Sequence, residues 1–480
     1  MSSSSLGLFT DLYALTMAYG YWKHELMERE AVFTLFFRRA PFQGSFAIAA
    51  GLESAVELIE NFRFSDSDLS YLASLKTQNK RPLFERGFLE YLSKLQLSCD
   101  VEAVEEGTTV FPYEPLLKVQ GPILQAQLLE SALLNTINFQ TLIATKASRI
   151  CVAAEGDEVI EFGLRRAQGI DGALSGARAA YIGGCHGTSN TMAGKRFGIP
   201  VKGTQAHSWI MAFDEEMEAF DAYAQVMPNH CLFLIDTYNT VQGVKKAMEV
   251  VKKRPDVKML GVRIDSGDLA QLSRRVRTLL DEGGFPDAKI MASNELDEKI
   301  IRDLKQQGAK INLWGVGTNL ITAKDQPALD GVYKLTAIQD EQGNWKDKIK
   351  ISEQLSKTTN PGILQVRRFW DKEGIAFADM IYDVRMPLTD HLELVNPMDS
   401  TLRQKVSDLD LAQDLLIPIF KRGVKVYDCP KLSAVRDNTS IQLKKLSPEV
   451  RRFLYPQPYF VGLEQSLYDR KMGLIQAMKL

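Results

Sequence analysis

The segment Met259-Leu260-Gly261-Val262-Arg263-Ile264-Asp265-Ser266-Gly267-Asp268 carries the pattern that decides the fold. Its first half is mostly apolar and predicts a buried strand, which ends at the polar turn that begins with Asp265. Gly267 and Asp268 then open a predicted helix, for which Asp268 is a candidate N-cap. Strand, polar turn and helix in this order form the repeating unit of an α/β protein whose strands run parallel.

The same unit recurs along residues 136–335. Further strands are predicted there, each followed by polar or glycine-rich residues: Val159–Phe162, Ile199–Lys202, Cys231–Ile235, Lys289–Ala292 and Ile311–Trp314. Short strands separated by helices predict a parallel sheet with helices outside it. A βα barrel would bring the carboxyl ends of all these strands to one mouth, where such barrels place their active sites. We therefore predict an irregular or incomplete βα barrel, and a doubly wound open sheet stays open as the alternative.

Length and charge are those of an ordinary globular protein. A chain of 480 residues predicts two or three domains, and residues 1–135 have a mixed α/β pattern that differs from the barrel region. The formal net charge of −2 gives no overall attraction to nucleic acid or to an anionic membrane. Any anionic ligand must therefore be held by local clusters of charge.

The cysteines and the N-terminal segment indicate where the protein works. The five cysteines are scattered and form no CxxC pair, which fits a reducing compartment and argues against a zinc cage or a disulfide scaffold. The apolar stretch Leu6–Trp22 lacks a basic leader and contains Asp11, so it predicts neither a signal peptide nor a membrane span. We expect a soluble, cytoplasmic protein.

The loop Gly203-Thr204-Gln205-Ala206-His207-Ser208-Trp209 places a histidine where a predicted strand ends. A histidine can pair without doing chemistry, so a structural role is the simplest explanation of His207 taken alone. Its position at the mouth of the predicted barrel favours a functional role. The remaining histidines of the chain are His24, His186, His230 and His391.

Three other strand ends carry residues suited to anions and hydroxyl groups. Gly315-Val316-Gly317-Thr318 offers backbone N–H groups and a hydroxyl to a phosphate, although a tight turn explains the same residues. Arg165 and Arg166 supply fixed positive charge, although adjacent arginines are often surface residues. Asp265 and Asp268 could hold ribose hydroxyls or a metal-bound pyrophosphate, and helix capping is the alternative for Asp268. Together these residues suit a phosphorylated sugar better than a peptide or a lipid.

A series of motifs resembles the nicotinate phosphoribosyltransferase family. In chain order they are TDLYALTMAYGYW from Thr10, FFRRAPF from Phe36, EFGLRRAQG from Glu161, GTQAHSW from Gly203, LIDTYNT from Leu234, GVRIDSGDL from Gly261, ASNELDE from Ala292, GVGTNL from Gly315 and DGVYKL from Asp330. A weaker similarity covers Lys350–Gly362, and the region beyond about residue 365 is less distinctive. The resemblance implies a type II phosphoribosyltransferase-like fold, in which an irregular α/β barrel (136–335) lies beside a mixed α/β domain. The N-terminal segment (1–135) and part of the C-terminal segment (336–480) would build that second domain.

The resemblance also implies an activity. It predicts transfer of a phosphoribosyl group from 5-phosphoribosyl 1-diphosphate to nicotinate, which gives nicotinate mononucleotide and pyrophosphate for NAD salvage. ATP hydrolysis would be coupled to this step, as in an enzyme classed with C–N ligases, and magnesium would accompany the phosphates. The sequence contains no diagnostic set of metal ligands.

Residue roles follow from the same resemblance. His207 would be phosphorylated transiently, and Asp265 would act at the reacting sugar. Thr204 and Arg263 would bind nicotinate, and Tyr13 would stack on its ring from the partner subunit of a homodimer with shared sites. Phosphoribosyl diphosphate would be held by Arg165, Arg166, Gly315, Gly317 and Thr318.

Three other functions stay open at this point. The nearest is the nicotinamide-using relative, in which an acidic residue is expected just before a TxAG segment; here neutral Asn190 precedes Thr191-Met192-Ala193-Gly194. The second is a metal-dependent barrel hydrolase or aldolase that uses His207, Asp236 and Asp265. The third is a catalytically silent binding or regulatory protein.

Overall fold

The computed structural model describes residues 5–354, 357–389, 392–406 and 411–479. His391 and two positions of the Lys350–Gly362 segment lie outside these ranges. The chain forms two compact units, one built from residues 1–142 with 328–480 and the other from residues 143–327. The domain boundaries predicted from the sequence pattern lie at residues 135 and 335 instead. The helix Glu130–Ala153 runs through the first observed boundary without a break, so no change of pattern marks that boundary in the sequence.

The helices of the described chain lie in both units. In chain order they are α1 (Leu12–Lys23), α2 (Leu52–Glu60), α3 (Asp66–Ser74), α4 (Arg86–Ser93), α5 (Ile123–Leu128), α6 (Glu130–Ala153), α7 (Gly169–Ile182), α8 (Thr191–Phe197), α9 (His207–Met211), α10 (Glu216–Val226), α11 (Thr240–Lys252), α12 (Leu269–Glu282), α13 (Glu298–Gln306), α14 (Thr318–Ile321), α15 (Leu432–Lys444) and α16 (Gln465–Lys479). Single 3₁₀ turns occur at Pro41–Gln43 and Leu164–Arg166. No helix of the described residues is both long enough and apolar enough to span a membrane.

The strands group into sheets that each belong to one unit. In chain order they are β1 (Glu30–Phe36), β2 (Ala47–Ile48), β3 (Asp100–Val104), β4 (Thr109–Val110), β5 (Leu117–Pro122), β6 (Glu158–Glu161), β7 (Gly187–Thr188), β8 (Cys231–Leu234), β9 (Met259–Ile264), β10 (Lys289–Ala292), β11 (Leu313–Val316), β12 (Val332–Gln339), β13 (Trp345–Asp347), β14 (Leu364–Trp370), β15 (Ala376–Asp383), β16 (Leu392–Val395), β17 (Arg403–Val406), β18 (Ala412–Asp414), β19 (Leu416–Lys421), β20 (Val424–Lys425) and β21 (Phe460–Glu464).

The first unit joins both ends of the chain in one sheet. Its order is β13-β12-β1-β5-β3-β19-β20, and β1 lies between β5 from the N-terminal segment and β12 from the C-terminal segment. The β-branched and aromatic residues of β1 are almost all buried, as expected for a central strand. A second sheet, β17-β16-β21-β15-β14-β18, packs its own core around Phe369, Met380 and Leu394.

A buried lysine in this unit gives a testable link between pH and stability. Lys471 on α16 is 4% exposed, and its Nζ donates a hydrogen bond to Asn360 Oδ1 at 2.8 Å. Burial lowers the pKa of Lys471 from 10.5 to about 8. The folded pKa therefore lies below the unfolded one, and between about pH 8 and 10.5 the unfolded chain binds more protons. The free energy of unfolding should accordingly rise with pH across that window.

We expect Lys471→Met to lose this rise, because no amine remains to titrate. At pH 7 the variant should be more stable by about 1–2 kcal/mol, since the cost of a buried charge is removed while the bond to Asn360 is lost. Denaturant unfolding between pH 7 and 10.5 measures both effects. Lys444→Met, at an exposed lysine of α15, is the matched control. Equal pH dependence in the two variants would contradict the assignment.

The second unit is a half-barrel. Its parallel sheet has the order β7-β6-β11-β10-β9-β8, with β7 and β8 at the two edges, and helices connect successive strands. The predicted α/β class with a parallel sheet is confirmed. Inward-facing side chains of four strands, Ile160, Leu232, Met291 and Leu313, form an apolar cluster against which Phe162 packs.

One predicted strand is wrong. Ile199–Lys202 forms only a single bridge, in which Val201 pairs with Thr188, and the edge strand next to β6 is β7 instead. Pro200 explains the difference because it has no N–H to donate to a ladder and contributes only its carbonyl, which accepts from Thr188 N at 3.0 Å. The sequence around β7 is rich in glycine and lacks an apolar run, so no strand signal marks it.

Candidate active site

Arg263 is the centre of a hydrogen-bonded cluster at the carboxyl end of β9. Its side chain is 15% exposed. Nε donates to Ser293 Oγ at 2.8 Å, Nη1 to Thr204 Oγ1 at 2.9 Å, and Nη2 to Asp265 Oδ1 at 2.9 Å. Its guanidinium lies 5.7 Å from the centre of the Phe162 ring. The structure thus brings Thr204 from its loop to Arg263 and Asp265 at the end of β9.

The contacts limit how Arg263 can bind a ligand. A guanidinium has five N–H groups, and a further, longer contact joins Nη1 to Gln205 O at 3.4 Å. The Nε and Nη1 donors are therefore used within the protein, and one N–H of Nη2 has no acceptor among the described residues and stays open to a ligand. A carboxylate would take one charge-assisted hydrogen bond from Arg263, or two if Thr204 or Gln205 yields.

Asp265 is held ionised by its neighbours. Burial alone would raise its pKa, but the hydrogen bond from Ser293 and the charge and hydrogen bond of Arg263 together lower it below its ordinary value. Its backbone N–H donates to Asp236 Oδ2 at 2.7 Å, which fixes the turn after β9. Asp265 therefore presents negative charge at the strand ends at any pH near neutrality.

His207 begins the short helix α9 and lies close to this carboxylate. Its Nε2 is 3.6 Å from Asp265 Oδ2, and its Nδ1 is 3.1 Å from Thr237 Oγ1. The ring is 41% exposed, so it remains accessible to a ligand. Trp209 anchors the helix by donating from its indole Nε1 to Ala219 O at 3.0 Å. His207, Asp265 and Arg263 thus form one connected group.

One carboxylate oxygen of Asp236 makes no hydrogen bond to the described residues. Its Oδ2 accepts from Asp265 N and from Ser266 Oγ, both at 2.7 Å, whereas its Oδ1 is buried without a hydrogen-bond partner among the described residues. A buried carboxylate oxygen of this kind is suited to a cation or to a donor of the ligand. The described residues contain no cluster of three or more histidine, cysteine or acidic side chains placed to hold a metal by themselves.

The predicted phosphate-binding residues lie at two neighbouring strand ends, since β11 pairs with β6. Gly317 precedes Thr318, the first residue of α14, and Arg165 and Arg166 are exposed on the 3₁₀ turn after β6. Gly315 has a packing role: a Cβ there would lie 2.7 Å from Met291 Cε and 2.8 Å from Phe162 Cδ2. Its small size therefore leaves room for the Phe162 ring.

A buried carboxylate shapes the turn that carries Phe162. Glu161 is 1% exposed, and burial raises its pKa. It accepts hydrogen bonds from Gly163 N and, at 2.6 Å, from Thr188 Oγ1.

Asn190 uses its Oδ1 to cap α8, accepting from the backbone N–H groups of Met192 and Ala193 at 3.1 Å.

An open space lies against the concave face of the half-barrel. A cavity of about 540 Å³ is lined by the apolar cluster, by Phe162 and Thr204 near the strand ends, and by Lys202, Lys289 and Glu158 toward the amino ends. Lys202 and Lys289 both pair with Glu158 and lower its pKa to about 2. Of the residues at the strand ends, Phe162 and Thr204 line this cavity, so it reaches the edge of the Arg263 cluster.

Tyr13 belongs to the first unit. It lies on α1, is 47% exposed, and its pKa is raised by partial burial and by Glu130. Phe9, Leu12 and Met17 expose apolar side chains in the same segment. Such a cluster of exposed apolar residues is typical of a surface that is covered by another molecule.

Sequence reasoning missed Ser293, Thr237, Gln205 and Phe162 as site residues. Each belongs to one of the motifs named above and lies near the end of a predicted strand, so its position in the sequence could have marked it as a candidate site residue. The contacts carried no such signal, because Ser293, Thr237 and Gln205 bond to residues 28 to 58 positions away and Phe162 meets Arg263 through its ring.

A half-barrel whose strand ends gather an arginine, carboxylates and an accessible histidine has the organisation of an α/β barrel enzyme acting on a small molecule. The sequence matches the nicotinate phosphoribosyltransferase N-terminal domain over residues 8–138, the nicotinate phosphoribosyltransferase family over residues 158–381 and the C-terminal domain over residues 364–471. The chain therefore belongs to the nicotinate phosphoribosyltransferase family and is an enzyme of that type.

Individual relatives cover nearly the whole chain. The nicotinate phosphoribosyltransferase of Bacillus subtilis is 45% identical over 99% of this chain and 96% of its own length. That of Caenorhabditis elegans is 37% identical over 96% of this chain and 92% of its own length. The crystal structure of human nicotinic acid phosphoribosyltransferase has a TM-score of 0.83 at 30% identity, covering 97% of this chain and 99% of that one. The resemblance inferred from the motifs is confirmed, and the hydrolase and silent-protein alternatives fall away.

Proposed function

We propose that the enzyme transfers the 5-phosphoribosyl group of phosphoribosyl diphosphate to nicotinate, with ATP hydrolysis coupled through transient phosphorylation of His207. The observation that carries the proposal is the connected group of Arg263, Asp265 and His207 at the strand ends. It joins a cation suited to the nicotinate carboxylate with a histidine suited to accept phosphate. We further propose that the half-barrel and the unit from both termini represent the type II phosphoribosyltransferase arrangement.

Nicotinate would bind through its carboxylate and its ring. The open N–H of Arg263 would bind the carboxylate, and the Thr204 hydroxyl would join it by exchanging its 3.2 Å hydrogen bond to Gln205 O for one to the ligand. The Phe162 ring offers a flat apolar surface to the pyridine. The side-chain oxygen of the neutral Asn190 is occupied by the α8 cap, so it is not available to accept a hydrogen bond from the N–H of an amide group. These features favour nicotinate over nicotinamide.

The sugar chemistry requires charges of both signs. The ring nitrogen of nicotinate forms a bond to the anomeric carbon while the bond from that carbon to the pyrophosphate oxygen breaks. Positive charge develops on the sugar, and ionised Asp265 would stabilise it. Arg165, Arg166, Gly317 and Thr318 would bind the phosphates. Gly315, within β11, would keep the space beside the Phe162 ring open.

Magnesium fits the residues as a companion of the diphosphate. Mg²⁺ is usually held by one or two carboxylates together with substrate phosphates, and the unpartnered Oδ1 of Asp236 supplies such a ligand. When bound, the ion would neutralise charge on the leaving pyrophosphate.

The ATP step would use His207 as a nucleophile. A ring nitrogen would attack the γ-phosphorus of ATP, the bond to the bridging oxygen would break, and ADP would leave; water would later release the phosphate. Thr237 and Asp265 would orient the imidazole for this step.

We also propose that the enzyme works in the cytoplasm, because its scattered cysteines without a CxxC pair fit a reducing compartment.

Product analysis tests the proposal. Nicotinate, phosphoribosyl diphosphate, Mg²⁺ and ATP should give nicotinate mononucleotide, pyrophosphate, ADP and phosphate, each detectable by mass spectrometry or ion chromatography. Omitting phosphoribosyl diphosphate should abolish the nucleotide. Absence of the nucleotide from the complete mixture would overturn the proposed reaction.

We also propose a homodimer in which Tyr13 of one chain completes the site that contains His207 of the other. A tyrosine exposed on an apolar segment would stack on the pyridine ring across a two-fold interface. Tyr13→Ala and His207→Ala should each be impaired as homodimers. When the two are unfolded, mixed and refolded, about half the dimers should be mixed, and activity should approach about a quarter of wild type.

A mass tag on one variant must show that subunits have exchanged. Refolded wild-type enzyme provides the reference for recovery. If mixed dimers form and activity does not return, Tyr13 and His207 do not serve a site shared between chains.

A further inference from the structure

Ser293 links the cation and the carboxylate of the site. It follows β10, is 3% exposed, and its backbone N–H donates to Ile264 O at 3.1 Å. Its hydroxyl accepts from Arg263 Nε at 2.8 Å and donates to Asp265 Oδ1. A hydroxyl has one proton and two lone pairs, so Ser293 can serve both partners at once.

Asp265 faces two ways. Its Oδ1 accepts from Arg263 Nη2 at 2.9 Å and from Ser293, whereas its Oδ2 lies 3.6 Å from His207 Nε2. The second distance is too long for a hydrogen bond. The carboxylate is thus tied to the Arg263 side and only electrostatically linked to His207.

We propose that Ser293 is a positioning residue that holds Asp265 on Arg263, so that a change of charge at His207 alters nicotinate binding at Arg263. The proposal rests on the proposed function. A phosphate on His207 would add between about 1.5 and 2 negative charges and would repel Asp265. Because Ser293 and Arg263 share Oδ1, this repulsion would press Asp265 toward Arg263 and fix the guanidinium.

Removal of the hydroxyl should uncouple the two ends of the group. In Ser293→Ala, Arg263 loses the acceptor of Nε and Asp265 loses a donor, so the carboxylate can turn toward His207. We expect the KM for nicotinate to rise roughly 10- to 100-fold, the size expected for loss of a hydrogen bond to a charged group. The preference for nicotinate over nicotinamide should fall. We expect ATP to lower the KM for nicotinate in the wild-type enzyme and to have no such effect in Ser293→Ala.

Two variants separate positioning from simple loss of packing. Ser293→Thr retains the hydroxyl and should restore most of the nicotinate preference and the ATP effect. Ser273→Ala removes another buried serine of the same unit, whose hydroxyl donates to Ala270 O at 3.1 Å and accepts from Lys310 N at 3.1 Å. This control should keep the wild-type kinetic pattern at a comparable melting temperature.

The measurements are the KM and kcat for nicotinate with and without ATP, the kcat/KM for nicotinamide, and labelling of the protein by γ-labelled ATP. Labelling should persist in Ser293→Ala, since His207 is unchanged. A wild-type acid preference and a wild-type ATP effect in Ser293→Ala would overturn the inference, as would equal losses in Ser293→Thr and Ser293→Ala. Absence of an ATP effect in the wild-type enzyme would instead overturn the proposed ATP coupling, and the acid preference alone would then decide the role of Ser293.

Discussion

Replacing His207 with alanine is expected to abolish transfer of the γ-phosphate of ATP to the protein. His207 is the accessible histidine of the strand-end cluster, 3.6 Å from Asp265 and 3.1 Å from Thr237. The wild-type adduct should be labile in acid and stable in base, as phosphohistidine chemistry requires. The variant should also lose the stimulation of nucleotide formation by ATP while keeping its fold.

Labelling with γ-labelled ATP, followed by acid and base treatment, measures this effect. His24→Ala is the matched control, because His24 is exposed at the end of α1 and belongs to the first unit, and its loss should leave labelling intact. Undiminished labelling of His207→Ala would show that another residue accepts the phosphate.

The second large effect is expected at Arg263. Arg263→Gln should lower kcat/KM for nicotinate roughly 30-fold to several thousand-fold, the range given by loss of about 2–5 kcal/mol from a buried charge pair. Nicotinamide lacks the negative charge and should be affected much less. The expected loss is large because Asp265 would keep its negative charge in the variant. It would then repel the nicotinate carboxylate, with no guanidinium between the two to neutralise them.

The controls for Arg263 address charge and folding. Arg263→Lys keeps the charge but cannot make the three contacts to Ser293, Thr204 and Asp265, so it should recover only part of the activity. Arg254→Gln removes a surface arginine paired with Asp221 and should leave activity unchanged. A similar loss of kcat/KM for nicotinate and for nicotinamide in Arg263→Gln would mean that Arg263 does not bind the nicotinate carboxylate.

Much of the half-barrel could be predicted because its strands are short apolar runs that end in polar turns. β8, β9, β10 and β11 lie within a few residues of their predicted positions. That pattern pointed to Asp265 in the turn after β9, whereas the role of Arg263 came from the family resemblance. The prediction of the edge strand was wrong because β7 consists of two residues, Gly187 and Thr188. They are extended because they pair with β6, and their own residue types do not favour a strand. Pairing between distant segments leaves no local signal.

The site itself shows the same limit. His207 could be singled out from the sequence, but its contact with Thr237 depends on how two loops fold against each other. The bidentate grip expected of a lone arginine is restricted by Thr204, Gln205 and Ser293, which already occupy most of the donors of Arg263. Sequence motifs identify the participants, whereas hydrogen-bond competition among them appears only in three dimensions.

The most direct test of the central claim is the ratio of kcat/KM for nicotinate to that for nicotinamide in the wild-type enzyme, measured with phosphoribosyl diphosphate, Mg²⁺ and ATP. The cation of Arg263, the occupied oxygen of Asn190 and the open N–H of Nη2 all predict a ratio of at least about 100, because a neutral amide cannot form the charge-assisted hydrogen bond that a carboxylate takes from Nη2. A ratio near one would contradict the account, since the site would then not recognise the carboxylate of its substrate.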